Sequence, residues 1–340
     1  MARLLTILLN YRTPEMTLGA AEAALRAFDG LEAELVIVDN DSGDGSFEQM
    51  SAAVTEKGWD ALPAKVRVLQ SGHNGGFGAG NNFGIRAGMH DGSAPDYYYI
   101  LNSDAFPDEG AIRILLEYLE THAEVGFAGS YIHGPERDAH VTAFRFPSIK
   151  SEFEGAARFG PVTRMLSDHV VPLGVPEATR AVDWLAGASV MMRARVLDEI
   201  GVFDETFFLY FEETDLCRRA ALAGWPTHYV RESEVTHIGS VSTGMRDWTR
   251  VPEYWLNSRW HYFTKNHGVF YAVAATGAHL AGGMIHRLRM LLERKRPGDP
   301  PKFLRHLLAH DLKALIGGRR GQPVSGQGHA RRRVPAVEGK

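Results

Sequence analysis

Cysteine is almost absent from this chain of 340 residues, in which Cys217 is the single example. One cysteine excludes an intrachain disulfide and any metal site built from several thiolates, and such scarcity fits a reducing cytoplasm. The first five residues also lack the basic leader, apolar run and cleavage site that together make a secretory signal. We therefore expect a cytoplasmic location.

Positive charge is scarce over most of the chain. Residues 286–340 contain 14 Lys and Arg against 4 Asp and Glu, although the net charge of the whole chain is −4, so the preceding residues are strongly acidic. An acidic body repels the phosphates through which proteins bind nucleic acid, which argues against a nucleic-acid partner. A basic end favours an anionic surface instead, and the leading candidate is the inner face of the cytoplasmic membrane.

Charged residues are missing altogether from residues 266–286, a stretch long enough to span a bilayer. Its three histidines and four glycines make it a poor membrane-spanning segment. From Phe270 onwards apolar residues recur at helical spacing, and basic residues follow at 294–296. This pattern predicts a basic amphipathic helix. Such a helix either lies in the headgroup layer as a peripheral membrane contact, or packs on the rest of the chain or on a second copy in a homodimer.

Short, largely apolar segments alternate with helical patterns in the first third of the chain. This alternation predicts an α/β fold with right-handed crossovers and a mostly parallel, Rossmann-like sheet flanked by helices. A further strand is predicted at 189–192, whereas residues 130–182 lack a regular pattern and are expected to form a long excursion over the sheet. The predicted strands of the first third cover residues 4–9, 35–38, 66–69 and 97–101.

Polar or glycine-rich segments follow three of these strands. Asp39 ends the second strand, where its carboxylate could accept hydrogen bonds from a base or a ribose. The third strand leads into residues 72–80, whose glycines allow close backbone approach to a diphosphate, although a purely structural turn explains them equally well. They do not form a dinucleotide fingerprint, because that motif belongs on the first strand–helix turn.

Two further groups of residues could carry chemistry. Asp104 follows the fourth strand, where it would either hold a divalent metal against a phosphate or cap the next helix. Glu212, Glu213 and Asp215 follow an aromatic run; they either favour the start of a helix electrostatically or include a general base whose pKa an apolar wall raises. His237 alone is compatible with a structural role or with metal ligation.

Taken in order, these segments resemble the GT-A inverting glycosyltransferases of family 2, and most of all the rhamnosyltransferase-type enzymes that build bacterial cell-surface glycans. The resemblance covers about residues 3–267. The matching segments are Asn10-Tyr11, residues 38–42, 74–84, 101–105, 184–188 and 211–218, and His237 with Gly239-Ser240.

The resemblance implies roles for individual residues. Asp104 and His237 would bind Mg²⁺ or Mn²⁺, and Asn102 stands where the family has the first acid of an Asp-X-Asp motif, which weakens the metal site by one charge. Glu213 would be the base, with Glu212 and Asp215 as alternatives. Trp184, Gly187 and Ala188 would form a loop at the donor and acceptor. The nucleotide sugar would contact Asn10, Tyr11, Asp39, Asn40, Asn74, Gly75, Phe77, Gly80, Asn81, Asn102 and Asp104.

The resemblance also implies a reaction. An inverting, metal-dependent enzyme would move a sugar from a nucleotide diphosphate to a saccharide or to a polyprenyl-diphosphate-linked saccharide. The expected donor is dTDP-rhamnose, with UDP-sugars second. A scaffold or sensor that binds a nucleotide sugar without turnover is the alternative, and an oxidoreductase is disfavoured because the glycines lie in the wrong turn.

Three regions are expected along the chain. Residues 1–265 would form the GT-A catalytic domain, and residues 266–317 would form an amphipathic helical extension. Residues 318–340, rich in Gly, Arg and Pro, are expected to be disordered.

Overall fold

The computed structural model describes residues 2–28, 30–61, 63–239, 248–296 and 298–317, so the tail predicted to be disordered lies outside the described residues. The strands are β1 (Arg3–Asn10), β2 (Glu32–Asp39), β3 (Arg67–Gln70), β4 (Tyr97–Asn102), β5 (Ala105–Pro107), β6 (Phe127–His133), β7 (Ala143–Phe144), β8 (Arg180–Val182), β9 (Trp184–Leu185), β10 (Ser189–Arg193) and β11 (Thr227–His237). The helices are α1 (Pro14–Ala27), α2 (Ser46–Glu56), α3 (Phe77–Ala87), α4 (Ala111–Thr121), α5 (Ile149–Ala157), α6 (Gly160–Met165), α7 (Ala194–Ile200), α8 (Glu212–Leu222), α9 (Glu253–His267), α10 (Val269–Leu292) and α11 (Phe303–Ile316).

The main sheet has the strand order β3-β2-β1-β4-β10-β6-β11-β5, and β8 pairs with β11. Its first four strands are parallel, as the alternating pattern predicts. β10 then runs antiparallel to both β4 and β6, while β6 and β11 are parallel to each other. The α/β prediction is confirmed, and the antiparallel β10 makes the sheet mixed.

One edge of the sheet collects the ends of several strands. Asn10 pairs with Asp39 across β1 and β2, and Leu9 pairs with Asn102 across β1 and β4. β11 runs in the direction of β4, so His237 ends at this edge too. The strand order reverses between β1 and β4, and ligands of such sheets bind at the carboxyl ends of the strands at that switch point.

Hydrophobic packing covers both faces of the sheet. Leu4 and Leu8 of β1 face the cluster formed with α1, α2 and α4, whereas Leu5 and Ile7 face the cluster formed with α3, α7 and α8. A strand that is buried on both sides has no polar face, which is why β1 is apolar along almost its whole length.

Residues 130–182 are more regular than predicted, because they include α5 and α6. A capping box starts α5: the Ser148 side chain accepts from the backbone N–H of Ser151, and the Ser151 hydroxyl accepts from the backbone N–H of Ser148. Helix α10 lies close against α5, since a Cβ added to Gly282 would be 2.4 Å from the carbonyl oxygen of Phe153. These contacts join the irregular middle of the sequence to its C-terminal helices.

The C-terminal helices α9, α10 and α11 pack together around a buried arginine. Arg259 of α9 is fully buried and donates to Glu152 at 2.7 Å, Asp311 at 3.2 Å and Thr276 at 3.2 Å. Burial acts to raise the pKa of Glu152, but Arg259 and His279 outweigh it and lower that pKa to about 2. A buried charge needs such partners, so this network fixes α5, α9, α10 and α11 as one unit.

Helix α10 covers the predicted amphipathic stretch and α11 also lies within the helical extension predicted over residues 266–317, whereas α9 was not predicted. The predicted domain boundary at residue 265 falls inside α9, and the division of the chain into domains stays a prediction. No helix among the described residues is long and apolar enough to cross a membrane.

Two glycines bring α3 close to β1. A Cβ added to Gly80 would be 2.4 Å from Leu9 Cδ1, and one added to Gly84 would be 2.6 Å from Ile7 Cγ2. Neither distance is tolerated without movement of the neighbouring core. The spacing of these glycines therefore reflects helix-to-sheet packing.

We predict that Gly84→Ala lowers the free energy of unfolding by about 1–3 kcal/mol, since overpacking outweighs the helix propensity of alanine. The matched control is Gly277→Ala in α10, where an added Cβ meets nothing within 4 Å; it should raise stability by about 0.5–1 kcal/mol. Urea unfolding measures both, and an unchanged midpoint for Gly84→Ala would contradict the packing argument.

Candidate active site

Asp39 is held rigidly at the end of β2. Its Oδ1 accepts from Asn10 Nδ2 at 2.8 Å and from Ser42 Oγ at 2.5 Å, and Asn10 Oδ1 accepts from Thr17 Oγ1 at 2.8 Å. Asp41 has a left-handed φ of 57°, which turns the chain so that Ser42 returns to Asp39. The buried carboxylate is therefore fixed in one orientation beside the switch point.

Hydrogen bonds hold the glycine-rich turn between β2 and residues 207–211, the aromatic run that precedes α8. Asn40 Nδ2 donates to Asn74 Oδ1 at 3.0 Å and to the carbonyl of Gly76 at 3.1 Å. Gly76 has φ 90°, and a Cβ there would be 1.7 Å from the carbonyl oxygen of Phe208, so the position requires glycine. That carbonyl accepts from Phe77 N at 2.9 Å. Gly76 is therefore explained by the structural alternative given for residues 72–80, in which the glycines serve the turn itself.

Other predicted nucleotide-binding residues lie around this turn. A Cβ at Gly75 would be 2.6 Å from Ala79 Cβ. Asn81 is fully buried and donates from Nδ2 to the carbonyl of Phe77 at 3.0 Å. Tyr11 lies just beyond β1, with the Arg12 guanidinium 5.1 Å from its ring centre. These residues surround the ends of β1 and β2.

Asp104 and His237 meet where β5 pairs with β11. His237 Nε2 is 3.0 Å from Asp104 Oδ1, Ala105 pairs with His237 in the sheet, and the carbonyl of Asp104 accepts from Ile238 N at 3.0 Å. The next helix, α4, begins at Ala111 with Gly110 as its N-cap. The alternative interpretation of Asp104 as a helix cap is therefore wrong.

The geometry of this pair fits two neighbouring ligands of a divalent ion. Octahedral ligands lie at about 2.0–2.1 Å from Mg²⁺, which places adjacent ligands about 3 Å apart. His237 Nε2 and Asp104 Oδ1 are 3.0 Å apart, a separation at which they also hydrogen-bond to each other directly. Mg²⁺ commonly takes few protein ligands and fills its remaining positions with phosphate oxygens and water.

His140 is a neighbour of this pair that sequence reasoning missed. Its ring centre lies 6.1 Å from that of His237, in an edge-on arrangement. His140 lies beyond the end of β6, far from His237 in sequence, and no local pattern marks it. Only the pairing of distant strands brings the two rings together.

A second cluster of potential metal ligands differs from the Asp104–His237 pair because it already contains a basic side chain. Asp108, His133 and Glu234 place ligand atoms within 4.8 Å of one another, the one such group of three found among the described residues. Arg137 lies 2.6 Å from Glu234 and 3.8 Å from Asp108, so a guanidinium already supplies positive charge there. This cluster behaves as a surface ion-pair network.

Glu213 reaches the same edge of the sheet from the first turn of α8. The backbone leading into it is strained, since Tyr210 and Phe211 have left-handed φ values of 70° and 71°. Gly187 N donates to Glu213 Oε1 at 3.3 Å. A Cβ added to Gly187 would be 2.9 Å from the Phe77 ring and 3.1 Å from Glu213 Cγ. The glycine loop, the turn before β10 and α8 therefore meet here.

The turn before β10 also connects Glu213 to the end of β4. Asn102 N donates to the carbonyl of Ala188 at 3.1 Å, and the adjacent Gly187 holds Glu213. Asp104 lies two residues beyond Asn102. The structure thus brings Asp104, His237 and Glu213 to one edge of the sheet.

The three acids of α8 have different surroundings. Burial raises the pKa of Glu213, and burial together with the charge of Glu213 raises the pKa of Glu212 further. Glu212 is only 1% exposed and packs against Gly78. Its Oε2 has no hydrogen-bond partner within the described parts of the chain.

Asp215 forms ion pairs with two basic side chains and accepts a further hydrogen bond from an amide. It is fully buried and accepts from Arg219 at 2.9 Å, Lys265 at 2.8 Å and Asn266 at 3.1 Å. These partners tie α8 to α9, so Asp215 supports the helix that carries Glu213. Of the three acids, Glu213 is the one that contacts the turn before β10.

Trp184 lies in a small second sheet formed by β7 and β9. Its ring stacks on Phe144 with centres 4.2 Å apart, and its indole N–H donates to the carbonyl of Arg145 at 2.9 Å. The ring therefore anchors the region around residues 143–146 to the turn that contains Gly187.

Comparisons with known proteins agree with this architecture. Residues 23–251 match the family described as "Glycosyltransferase like family 2". The chain is 30% identical over 227 residues to an N-acetylglucosaminyl-diphospho-decaprenol L-rhamnosyltransferase from Mycobacterium tuberculosis, covering 62% of this chain and 68% of that protein. It is 26% identical over 165 residues to rhamnosyltransferase WbbL from Escherichia coli K12, covering 48% and 60%.

Solved structures confirm the predicted GT-A fold. The mannosyltransferase PcManGT from Pyrobaculum calidifontis, solved with GDP-Man and Mn²⁺, superposes with a TM-score of 0.52 at 14% identity over 94% of this chain and 88% of that chain. GalNAc-T7, solved with UDP, GalNAc and Mn²⁺, gives a TM-score of 0.56 at 12% identity over 94% and 58%. The chain therefore belongs to the glycosyltransferase-like family 2 and is a glycosyltransferase.

Proposed function

We propose that this enzyme transfers a sugar from a nucleotide diphosphate with inversion, with Glu213 as the general base and a Mg²⁺ or Mn²⁺ ion held by Asp104 and His237. The backbone of residues 187–188, which contacts both Glu213 and Asn102, carries the proposal. It keeps a carboxylate of raised pKa beside the strand end that presents Asp104. Both groups are then within reach of one donor.

The chemistry follows from these positions. Glu213 takes the proton of an acceptor hydroxyl, and the freed oxygen attacks the anomeric carbon opposite the leaving diphosphate. The new carbon–oxygen bond forms as the bond to the diphosphate breaks, so no covalent enzyme intermediate arises. A bound divalent ion would offset the charge on the leaving diphosphate. Asp39, fixed by Asn10 and Ser42, would contact the base or ribose.

The relatives suggest the donor and the acceptor. Two of them are named as rhamnosyltransferases, and one name specifies a diphospho-decaprenol acceptor. We propose dTDP-rhamnose as the donor, with UDP-sugars second. A saccharide or a polyprenyl-diphosphate-linked saccharide in cell-surface glycan synthesis would be the acceptor. A scaffold without turnover is disfavoured, because nucleotide binding has no use for the proton-accepting carboxylate of Glu213.

We predict that Glu213→Gln retains donor binding and loses transfer by a factor of about 10²–10⁴, since general-base catalysis contributes about that much. In the wild type, kcat should fall with decreasing pH and be half-maximal above the usual glutamate pKa of about 4.3, because protonation at a raised pKa removes the base. Release of nucleoside diphosphate measures the rate. Glu212→Gln is the comparison, and normal turnover in Glu213→Gln would refute the assignment.

We predict that Asp104→Ala abolishes metal-dependent binding of dTDP and UDP. The matched control is Asp108→Ala, which removes an acid from the ion-pair cluster around Arg137 and should leave nucleotide affinity unchanged. Calorimetry with and without Mn²⁺ measures both variants. Equal affinities for Asp104→Ala and the wild type would place the ion elsewhere.

The C-terminal helices present an apolar surface beside basic side chains. On α10, Phe270 is 94% exposed, Leu288 60%, Leu291 74% and Leu292 76%. Basic residues at 294–296 follow directly. We propose that this surface rests on the inner face of the cytoplasmic membrane, which would bring the enzyme to a lipid-linked acceptor. Contact between two copies in a homodimer is the alternative.

We predict that the enzyme sediments with vesicles containing phosphatidylglycerol, and that the double variant Leu288→Glu, Leu291→Glu weakens this binding at least tenfold, because each buried leucine contributes about 1.5–3 kcal/mol. Leu222→Glu, an exposed leucine at the end of α8, is the control and should bind normally. The alternative outcome is that the wild type does not bind vesicles and that sedimentation velocity shows a dimer for the wild type but a monomer for the double variant. In that case the surface is an interface between copies.

A further inference from the structure

Four aromatic side chains form a cluster where the aromatic run meets the start of α9. This aromatic cluster consists of Phe208, Tyr210, Trp248 and Tyr254, and all four residues are half-buried. The ring centres of Phe208 and Tyr254 are 5.7 Å apart, and those of Tyr210 and Trp248 are 5.8 Å apart. These distances are typical of interacting aromatic pairs. Two segments that are distant in sequence therefore build one partly exposed aromatic surface.

The aromatic cluster lies beside the proposed base. Tyr210 precedes Glu213 by three residues, so their Cα atoms are at most about 11 Å apart. A chain of contacts also joins the cluster to the base. The carbonyl of Phe208 accepts from Phe77 N at 2.9 Å, a Cβ added to Gly187 would be 2.9 Å from the Phe77 ring, and Gly187 N donates to Glu213 Oε1. The cluster and the base therefore border the same part of the site.

The backbone at Tyr210 indicates that its ring has a role. Tyr210 and Phe211 both have left-handed φ values, which disfavour bulky side chains and favour glycine. Such strain is retained where the surroundings impose it, and it is concentrated at functional sites. The ring of Phe211 packs on Tyr262 and Trp255, with centres 5.5 and 6.0 Å away, which accounts for it. The ring of Tyr210 instead belongs to the half-buried cluster beside the base.

Hydrogen bonds fix the aromatic run from two sides. The carbonyl of Phe208 is held by the backbone of Phe77, and the carbonyl of Leu209 accepts from Ser258 Oγ of α9 at 3.1 Å. Ser258 is buried, and the network around Arg259 fixes α9 itself. A surface held in this way gives up little conformational freedom when it binds a ligand.

The rings of Tyr210 and Tyr254 form a platform. Their planes differ by 19°, and their centres are 6.3 Å apart. The plane of Trp248 lies at 85° to that of Tyr210 and at 77° to that of Tyr254. The two tyrosines therefore have nearly parallel faces, with a tryptophan packed across both.

A sugar ring is the ligand that suits this platform. The face of an aromatic ring carries partial negative charge, whereas the C–H bonds on the apolar face of a pyranose carry partial positive charge. Stacking leaves the hydroxyls at the rim of the sugar, where one of them can reach a base. A protein partner would need about 800 Å² on each side, whereas an aromatic side chain supplies about 150–250 Å² when it is covered completely. Four rings that are already half-buried supply less than such an interface requires.

We propose that the aromatic cluster holds a pyranose ring of the saccharide acceptor and directs one of its hydroxyls toward Glu213. This inference rests on the proposed function, in which Glu213 takes the proton of an acceptor hydroxyl. The nucleotide contacts proposed above lie around Asp39 and the glycine-rich turn, which leaves the rings beyond Phe208 for the second substrate.

Four variants test the cluster. Tyr254→Ala removes one ring of the platform at the second residue of α9, where alanine is the better helix former. Tyr254→Phe keeps the ring. Tyr210→Gly removes the other ring and relieves the left-handed φ, so it tests the proposal even if Tyr254→Ala fails to fold. The matched control is Phe159→Ala, which removes a ring that is 36% exposed at the N-cap of α6, outside the cluster.

The probes are the methyl glycosides of glucose, galactose, mannose and N-acetylglucosamine, each added to the full chain. Saturation-transfer NMR with irradiation of the aromatic protons should show transfer to the C–H protons of at least one glycoside, and Tyr254→Phe and Phe159→Ala should give the same affinity. Tyr254→Ala and Tyr210→Gly should bind at least about tenfold more weakly. No transfer to any glycoside in the wild type, equal affinity for Tyr254→Ala and Tyr210→Gly, or displacement of the glycoside by dTDP overturns the proposal.

A transfer assay separates this proposal from the function on which it rests. In Tyr254→Ala the KM for the acceptor should rise at least about tenfold while kcat and the KM for the donor stay close to those of the wild type, because the ring contributes binding alone. A purely structural role would change all three. If Glu213→Gln keeps normal turnover while glycoside binding still responds to Tyr254, the assigned base is wrong and the cluster remains a saccharide site.

Discussion

Strand β10 runs against its neighbours, and the arrangement of the active site depends on that reversal. Because it is antiparallel to β4, its first residue lies beside the end of β4, so the preceding turn also lies at the ligand-binding edge. Gly187 and Ala188 in this turn contact Glu213 and Asn102 through their backbones. A parallel β10 would deliver its preceding turn to the opposite edge, and Glu213 would lose the contact that orients it.

The acids of this protein divide by their partners. Asp215 and Glu152 are buried against cations, and they join helices: α8 to α9 in the first case, and α5 to α9 in the second. Glu212 and Glu213 are held in a largely apolar setting, and no ion pair to either is found among the described residues, so burial raises the pKa of each. Uncompensated carboxylates are costly, and they persist where chemistry requires them. This contrast supports the proposal that Glu213 is the base, because Glu212 is only 1% exposed and packs against α3.

Helix α9 connects the two halves of the structure. Near its C-terminus, Lys265 and Asn266 hold Asp215 of α8, and near its centre Arg259 holds the network that fixes α5, α10 and α11. The exposed apolar surface of α10 is built on this unit. Contacts through α9 therefore connect α8, which carries the proposed base, to the helices that would meet a lipid acceptor.

Local periodicity and turn residues are enough to predict the parallel strands of the first third, the strand ends that carry Asp39 and Asp104, and a helix over the stretch that forms α10. Three other features depend on tertiary contacts. They are the antiparallel direction of β10, the proximity of His140 to His237, and the ion pair between Lys265 and Asp215. Each joins residues that are distant along the chain, and no local pattern encodes such a partner. The proposal of Glu213 as the base depends on contacts of the same kind: Glu212, Glu213 and Asp215 share one helical turn, and the fold places Gly187 against Glu213 and Lys265 against Asp215.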